Sequence, residues 1–120
     1  MELNEYQKRA MQTCMESCNN FSYMFLNLVG EVGEFASKVA KAIRKNWFTI
    51  QHSHLSDYDR REQPSDFETD LRKEAGDILW QLAGLCEVMG WTLEEVAQEN
   101  LDKLQSRQQR HVIDGNGDNR

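Results

Sequence analysis

Apolar residues return every three or four positions through most of this chain, and that rhythm predicts four helices. The first spans residues 4–18, with Tyr6, Ala10, Met11, Cys14 and Cys18 on one face. Asn19, Asn20 and Ser22 then make a polar break where a helix cap can sit. A second helix over 23–44 carries the strongest rhythm, through Phe25, Leu28, Val29, Val32, Phe35, Ala36, Val39 and Ile43. A third is capped by Ser65 or Asp66 and runs to Met89, with Leu71, Ala75, Ile78, Leu79, Leu82, Leu85 and Cys86 along its apolar stripe. Gly90 suits the position that ends it. Thr92 followed by Glu95 has the form of a capping box, which opens a fourth helix over 93–109 with Val96, Ala97, Leu101 and Leu104 turned inward.

Two stretches break the pattern. Residues 46–65 are polar, lose the periodicity and include Trp47, Phe48, His52, His54, Tyr58 and Pro64, so they read as a long loop. Residues 111–120 are rich in Gly and Asp and read as a non-helical tail. The fold expected is an all-α, antiparallel bundle of about four helices in one domain spanning 1–120. A chain of 120 residues encloses a modest core, so oligomerisation is expected to complete it.

Composition narrows the partners. A net charge of −6 disfavours a nucleic-acid polymer, whose phosphates call for clustered Lys and Arg. A single nucleotide remains open, because divalent cations can sit between acidic side chains and a polyphosphate. Cys14, Cys18 and Cys86 make an odd number without Cys-x-x-Cys spacing, as expected of reduced thiols in a cytoplasmic protein. The residues after Met1 are acidic where a signal peptide is basic, and no apolar run approaches bilayer length, so no membrane is expected.

The candidate chemistry lies in two acidic pairs. Glu31 and Glu34 on the second helix, and Glu74 and Asp77 on the third, are each three residues apart and share a helix surface. They belong to polar stripes, Asn27-Glu31-Glu34-Lys38 and Asp70-Glu74-Asp77-Gln81, that border the apolar faces. If those faces pack together, the acidic stripes meet. Two unit charges about 4 Å apart repel by roughly 4 kcal/mol at an effective dielectric near 20, so such a cluster calls for cations or raised pKa values. Hard oxygen ligands without His or Cys favour Mg2+, with Mn2+ as a substitute. Spacing alone favours a solvated acidic face, where i, i+3 acidic pairs usually sit. Gly30, Gly33 and Gly76 adjoin the carboxylates inside helices, where each costs about 1 kcal/mol relative to Ala; close helix approach or room for a ligand would account for them. A ferritin-like di-iron site is disfavoured, since no acidic residue is followed three places later by a histidine.

With these residues in view, the chain resembles the MazG-type all-alpha nucleoside triphosphate pyrophosphohydrolases from about Phe25 to the C-terminus. Leu28-Val29-Gly30-Glu31-Val32-Gly33-Glu34 is similar to the family's first acidic motif, and Lys73-Glu74-Ala75-Gly76-Asp77-Ile78-Leu79 to its second. Met89-Gly90-Trp91-Thr92-Leu93-Glu94-Glu95 resembles its connection into the last helix, Asn100, Lys103 and Arg107 fall where it has Asn, Lys and Arg, and the ending after Arg110 looks like the tail of a small single-domain branch. The resemblance implies a homodimer or homotetramer and a Mg2+ site of Glu31, Glu34, Glu74 and Asp77. It also implies hydrolysis of a nucleoside triphosphate, often a deoxy or damaged one, to monophosphate and pyrophosphate. The 39 residues between Glu34 and Glu74 exceed what compact members carry, so substrate preference does not transfer.

On this reading Glu34, Glu74 and Lys103 are the candidate catalytic residues, Glu34 as the group that orients or deprotonates water. Lys38, Asn100, Lys103, Arg107, Arg110 and Arg120 are the candidate substrate contacts. Lys38 equally fits an ion pair with Glu34, and Trp47 or Phe48 fits either stacking on a base or packing onto the core. Two alternatives stand beside the enzyme: a non-catalytic helical oligomer that binds a nucleotide or protein partner, and a purely structural module with solvated acidic stripes.

Overall fold

The computed structural model describes residues 1–51, 54–57 and 66–120, with 48–51 and 54–57 described through their backbone. Four helices carry the fold: α1 (Leu3–Met11), α2 (Phe21–Arg44), α3 (Phe67–Met89) and α4 (Leu93–Gln109). The all-α class expected from the pattern holds. A two-stranded antiparallel hairpin, β1 (Phe48–Gln51) with β2 (His54–Asp57), interrupts the stretch expected to be loop, pairing Phe48 with Asp57 and Gln51 with His54. Aromatic and β-branched residues at Phe48, Thr49 and Ile50 favour the extended backbone there. His52 and the charged run from Tyr58 to Pro64 lie outside the described residues.

The first helix is shorter than expected. It ends at Met11, and a 3-10 turn, Glu16–Cys18, follows, so Cys14 and Cys18 do not share a helix. Thr13 is the cause nearest to hand: its hydroxyl donates to the Ala10 carbonyl at 2.6 Å, while its own N–H reaches the same oxygen, three residues back. That side-chain bond replaces the next helical rung. The Thr13 hydroxyl also accepts the Trp80 indole N–H at 2.9 Å, which ties the end of α1 to α3.

α2 starts where Asn20 accepts the Tyr23 N–H at 2.9 Å. α4 starts with the capping box complete, Thr92 bonded to the Glu95 N–H and Glu95 to the Thr92 N–H. The three long helices end alike. Asn46, Gly90 and His111 all take positive φ, and the next residue's N–H returns to the carbonyl five positions earlier. This is the Schellman closure, with Asn and His filling a place where Gly is usual.

α2 and α3 run antiparallel as the central pair. Met24 meets Gly84, Lys38 meets Glu74, and Trp47 meets Phe67, the numbers falling on one helix as they rise on the other. A Cβ on Gly84 would lie 2.6 Å from the Met24 methyl, so this glycine permits the close approach that leaves Met24 wholly buried. α1 lies across α3 and α4. Gln7, itself buried, donates to Glu87 and the Trp91 carbonyl and accepts the Leu93 N–H at 2.7 Å. Ala83, Cys86 and Leu93 form the small core beneath it, with Tyr6, Met11 and Val96 packed around them.

The protomer is open. Its radius of gyration is 17.8 Å, against about 14 Å for a compact chain of this length. Phe25, Val29 and Val32 on α2, Leu79 and Leu82 on α3, and Leu101 and Leu104 on α4 remain exposed. Leu101 and Leu104 therefore do not face inward within one chain; the bonds that tie α4 to α1 lie at its start, where Gln7 accepts the Leu93 N–H and Asn4 donates to Glu94.

Candidate metal centre

Helical spacing puts Glu31 on α2 and Glu74 and Asp77 on α3 along the shared groove, and antiparallel packing brings them level. One carboxylate oxygen from each lies within 4.8 Å of the others. Glu34 stands one turn further along α2 and is outside this close trio, although its charge still bears on Glu31.

Like charges crowd this groove. The Glu31 carboxyl is held above the ordinary carboxylate range, first by desolvation and then by the charges of Glu34, Asp77 and Glu74. Asn27 opposes this with an amide hydrogen bond to Glu31 at 3.5 Å. Glu74 has a side chain only 12% exposed; one oxygen accepts from the Lys38 ammonium at 3.1 Å, and the other is buried without a partner among the described residues. A buried carboxylate oxygen with nothing to bind is costly unless a cation completes it. Three converging hard oxygen donors, on residues that include the part-satisfied Glu74, fit a magnesium-type ion. Gly33 and Gly76, beside these acids, border open space, so no helix contact requires them.

Lys38 pairs across the groove with Glu74, not within α2 with Glu34, and that hydrogen bond raises its pKa. Tyr6, which the sequence reading did not single out, reaches the site from α1: burial and then the Asp77 charge raise its phenol pKa. Only α1 docking on α3 reveals it. Gln81, one turn beyond Asp77, is buried with its carbonyl oxygen unpartnered.

The remaining candidates gather elsewhere. Asn100 and Lys103 line a shallow groove on α4 with Val96 and Glu99. The charges bearing on Glu31 come from α2 and α3 alone. Arg107 is buried and donates to Asp118 at 3.0 Å and to the Gly117 and Asp118 carbonyls; Lys103 reaches the same carboxylate at 3.4 Å. Arg110 donates to the Arg120 carbonyl, and Arg120 to the carbonyls of Val112, Ile113 and Gly117. The tail is thus a closed loop laid on α4, and its three arginines hold it. A Cβ on Gly115 would strike the Arg120 stem at 2.5 Å, which accounts for that glycine.

Comparison with known proteins places this geometry. The model of the MazG nucleotide pyrophosphohydrolase domain matches residues 19–112, which contain all four acidic candidates. A "Gene 37 protein" of Mycobacterium phage L5 is 36% identical over 127 aligned positions, covering the whole of both chains. No solved structure matches.

Proposed function

Because the chain belongs to the MazG nucleotide pyrophosphohydrolase family, we propose that it hydrolyses a nucleoside triphosphate to monophosphate and pyrophosphate with Mg2+. The observation that carries this reading is the convergence of Glu31, Glu74 and Asp77 oxygens to within 4.8 Å across the α2–α3 groove. These three carboxylates, with Glu34 joining as a fourth ligand or acting beside them, would hold the ion. An ion held by these residues would supply charge neutralisation and lower the pKa of a bound water. Glu34, outside the tight trio, would orient the attacking water and take its proton. Water adds to the α-phosphorus as the bond to the bridging oxygen breaks, and pyrophosphate departs with that oxygen. Lys38 and, from α4, Lys103 would neutralise phosphate and Asn100 would donate a hydrogen bond to it; Arg107, Arg110 and Arg120 would hold the tail against α4.

The exposed apolar residues of α2, α3 and α4 favour a homodimer or homotetramer. A second copy covering this surface would also let α4 of one chain approach the carboxylates of another. No helix among the described residues is long and apolar enough to cross a membrane, and three free cysteines suit a cytoplasmic setting.

The test is a panel of nucleoside di- and triphosphates incubated with Mg2+, with pyrophosphate and monophosphate read separately. Glu74→Ala and Asp77→Ala should abolish release while keeping helical content. A nucleotide-dependent thermal shift without any product would instead mark a non-catalytic binder.

A further inference from the structure

We propose that Tyr23 is a positioning residue for the metal centre, orienting the Asn27 amide so that it holds the Glu31 carboxylate toward Glu74 and Asp77. Tyr23, Asn27 and Glu31 follow one another at steps of four along one side of α2. Each is half-buried, while Phe25, Leu26 and Val29 between them are exposed. The Asn27 amide nitrogen donates to the Tyr23 hydroxyl at 3.4 Å and to Glu31 Oε1 at 3.5 Å, one hydrogen for each acceptor. The inference rests on the reading that the three carboxylates hold a divalent ion.

Glu31 is the carboxylate of the trio that needs such a hold. Repulsion from Glu34, Asp77 and Glu74 favours turning it outward to water, and Lys38, the cation of the groove, is bonded to Glu74. Among the described residues, only Asn27 donates a hydrogen bond to Glu31. Both amide bonds exceed the usual length of about 3.0 Å, so Asn27 guides the carboxylate rather than clamping it. A graded effect on metal affinity follows, not an all-or-none one.

Tyr23 can orient the amide because it is itself held from several sides. Asn20 caps α2 by accepting the Tyr23 N–H at 2.9 Å. The neighbouring Met24, wholly buried against Gly84, fixes the rotation of this turn. Gln81 precedes Gly84 by three residues on α3 and is 3% exposed, so antiparallel packing brings its amide level with the Tyr23 ring. A hydrogen bond to Cys18 is the chief cause that raises the Tyr23 phenol pKa, and one with Gln81 opposes it. A bond that raises a phenol's pKa has its O–H as donor, and one that lowers it has its oxygen as acceptor.

The direction of the Asn27 amide follows from this arrangement. With the Tyr23 hydrogen directed to Cys18, the phenol oxygen is left to accept, so Asn27 turns its nitrogen and not its carbonyl toward it. The same nitrogen then faces Glu31. Without the hydroxyl, the amide is free to turn over and set its carbonyl oxygen against the carboxylate, which repels it. Tyr23 therefore acts on the metal ligand through Asn27 alone.

Calorimetric titration of the metal-free full chain with Mn2+ tests the assignment. Asn27→Leu should weaken binding by about tenfold, and Tyr23→Phe, which removes a single oxygen, by a smaller factor. Adding Tyr23→Phe to Asn27→Leu should change nothing further, since the hydroxyl acts through the amide. In the metal-free protein, NMR should show the Asn27 side-chain N–H protons exchanging faster with water in Tyr23→Phe and in Glu31→Ala than in the wild type. Additive losses of affinity, unchanged Mn2+ binding in Tyr23→Phe, or Asn27 protons indifferent to that change would overturn the role of Tyr23. Wild-type protein that binds no Mn2+, while the Asn27 protons still respond to both substitutions, would sink the metal-centre reading and spare the positioning of Glu31.

Discussion

The Lys38 ammonium lies 3.1 Å from one oxygen of Glu74, whose other oxygen is buried with no partner among the described residues. Lysine thus serves as a partial counter-charge within a site that a divalent ion would neutralise far better. Lys38→Met should lower the stability of the metal-free protein only slightly, as expected of an ion pair whose lysine stays in contact with water. Saturating Mg2+ should close that gap, since the ion then supplies the charge. Thermal melts of both proteins with and without Mg2+ measure this, and a deficit of equal size in both conditions would contradict it.

Glu31 gives the site a pH signature. Its folded pKa is raised by desolvation and then by Glu34, Asp77 and Glu74, so the folded chain retains a proton that unfolding would release. Metal-free stability should therefore fall as pH rises through the window from the unfolded to the folded pKa, with the deficit complete above it. Divalent-ion affinity should move oppositely, because the ligands bind deprotonated. Melting curves with and without Mg2+ from about pH 4 to about pH 7 should diverge with rising pH. Glu31→Gln should flatten the metal-free trend.

Gly33 and Gly76 separate stability from function. A Cβ on either meets nothing within 4 Å, and Ala is favoured over Gly in a helix interior by about 1 kcal/mol. Each Gly→Ala change should therefore stabilise the fold by up to about that amount. If the open space serves substrate or metal water, kcat/KM should drop in the same variants. Unchanged turnover would show that the space beside the carboxylates is unused.

Much of this architecture was legible in the sequence. α2, α3 and α4 follow from unbroken periodicity, and Gly90 and the Thr92–Glu95 box mark their junction in chemistry that has few other uses. The spacing put four acids in two pairs, one on each helix, and antiparallel packing brings Glu31, Glu74 and Asp77 together while Glu34 stands a turn away. What failed was set by contacts across the fold. Thr13 ends α1 by bonding its own backbone while receiving Trp80, a residue 67 positions away. Asn46 and His111 close helices with positive φ, although neither signals this as Gly does. The tail arginines looked like phosphate ligands because charge is visible in sequence, whereas the carbonyls that occupy them are not.

That tail makes its own prediction. Asp118 accepts from Arg107 and Lys103, whose hydrogen bonds hold its pKa below the usual value. A lowered folded pKa contributes stability present above the unfolded value and lost as pH falls through the folded one. Asp118→Asn should remove that part of the acid-induced destabilisation. It should also release Lys103 from its carboxylate, so if Lys103 binds substrate phosphate the KM should fall several-fold while kcat holds. Steady-state kinetics on the variant decide this, and a KM that rises instead would mean Asp118 positions the lysine.

The packing of α2 on α3 can be probed where it is tightest. Gly84 faces Met24, and a methyl group added there would lie 2.6 Å from the Met24 terminal carbon and 3.3 Å from its Cγ. Met24 is wholly enclosed, so its flexible end has nowhere to retreat. Gly84→Ala should destabilise by about 1–3 kcal/mol from overpacking, partly offset by roughly 1 kcal/mol of helix propensity. Met24→Ala should cost about 2–5 kcal/mol through the cavity it leaves. In the double variant the new methyl enters that cavity, and the penalty for Gly84→Ala should vanish or reverse in sign. Denaturant unfolding of the four proteins yields the coupling directly. Additive losses would mean that α2 and α3 do not approach at this point, and the groove that aligns the carboxylates would lose its anchor.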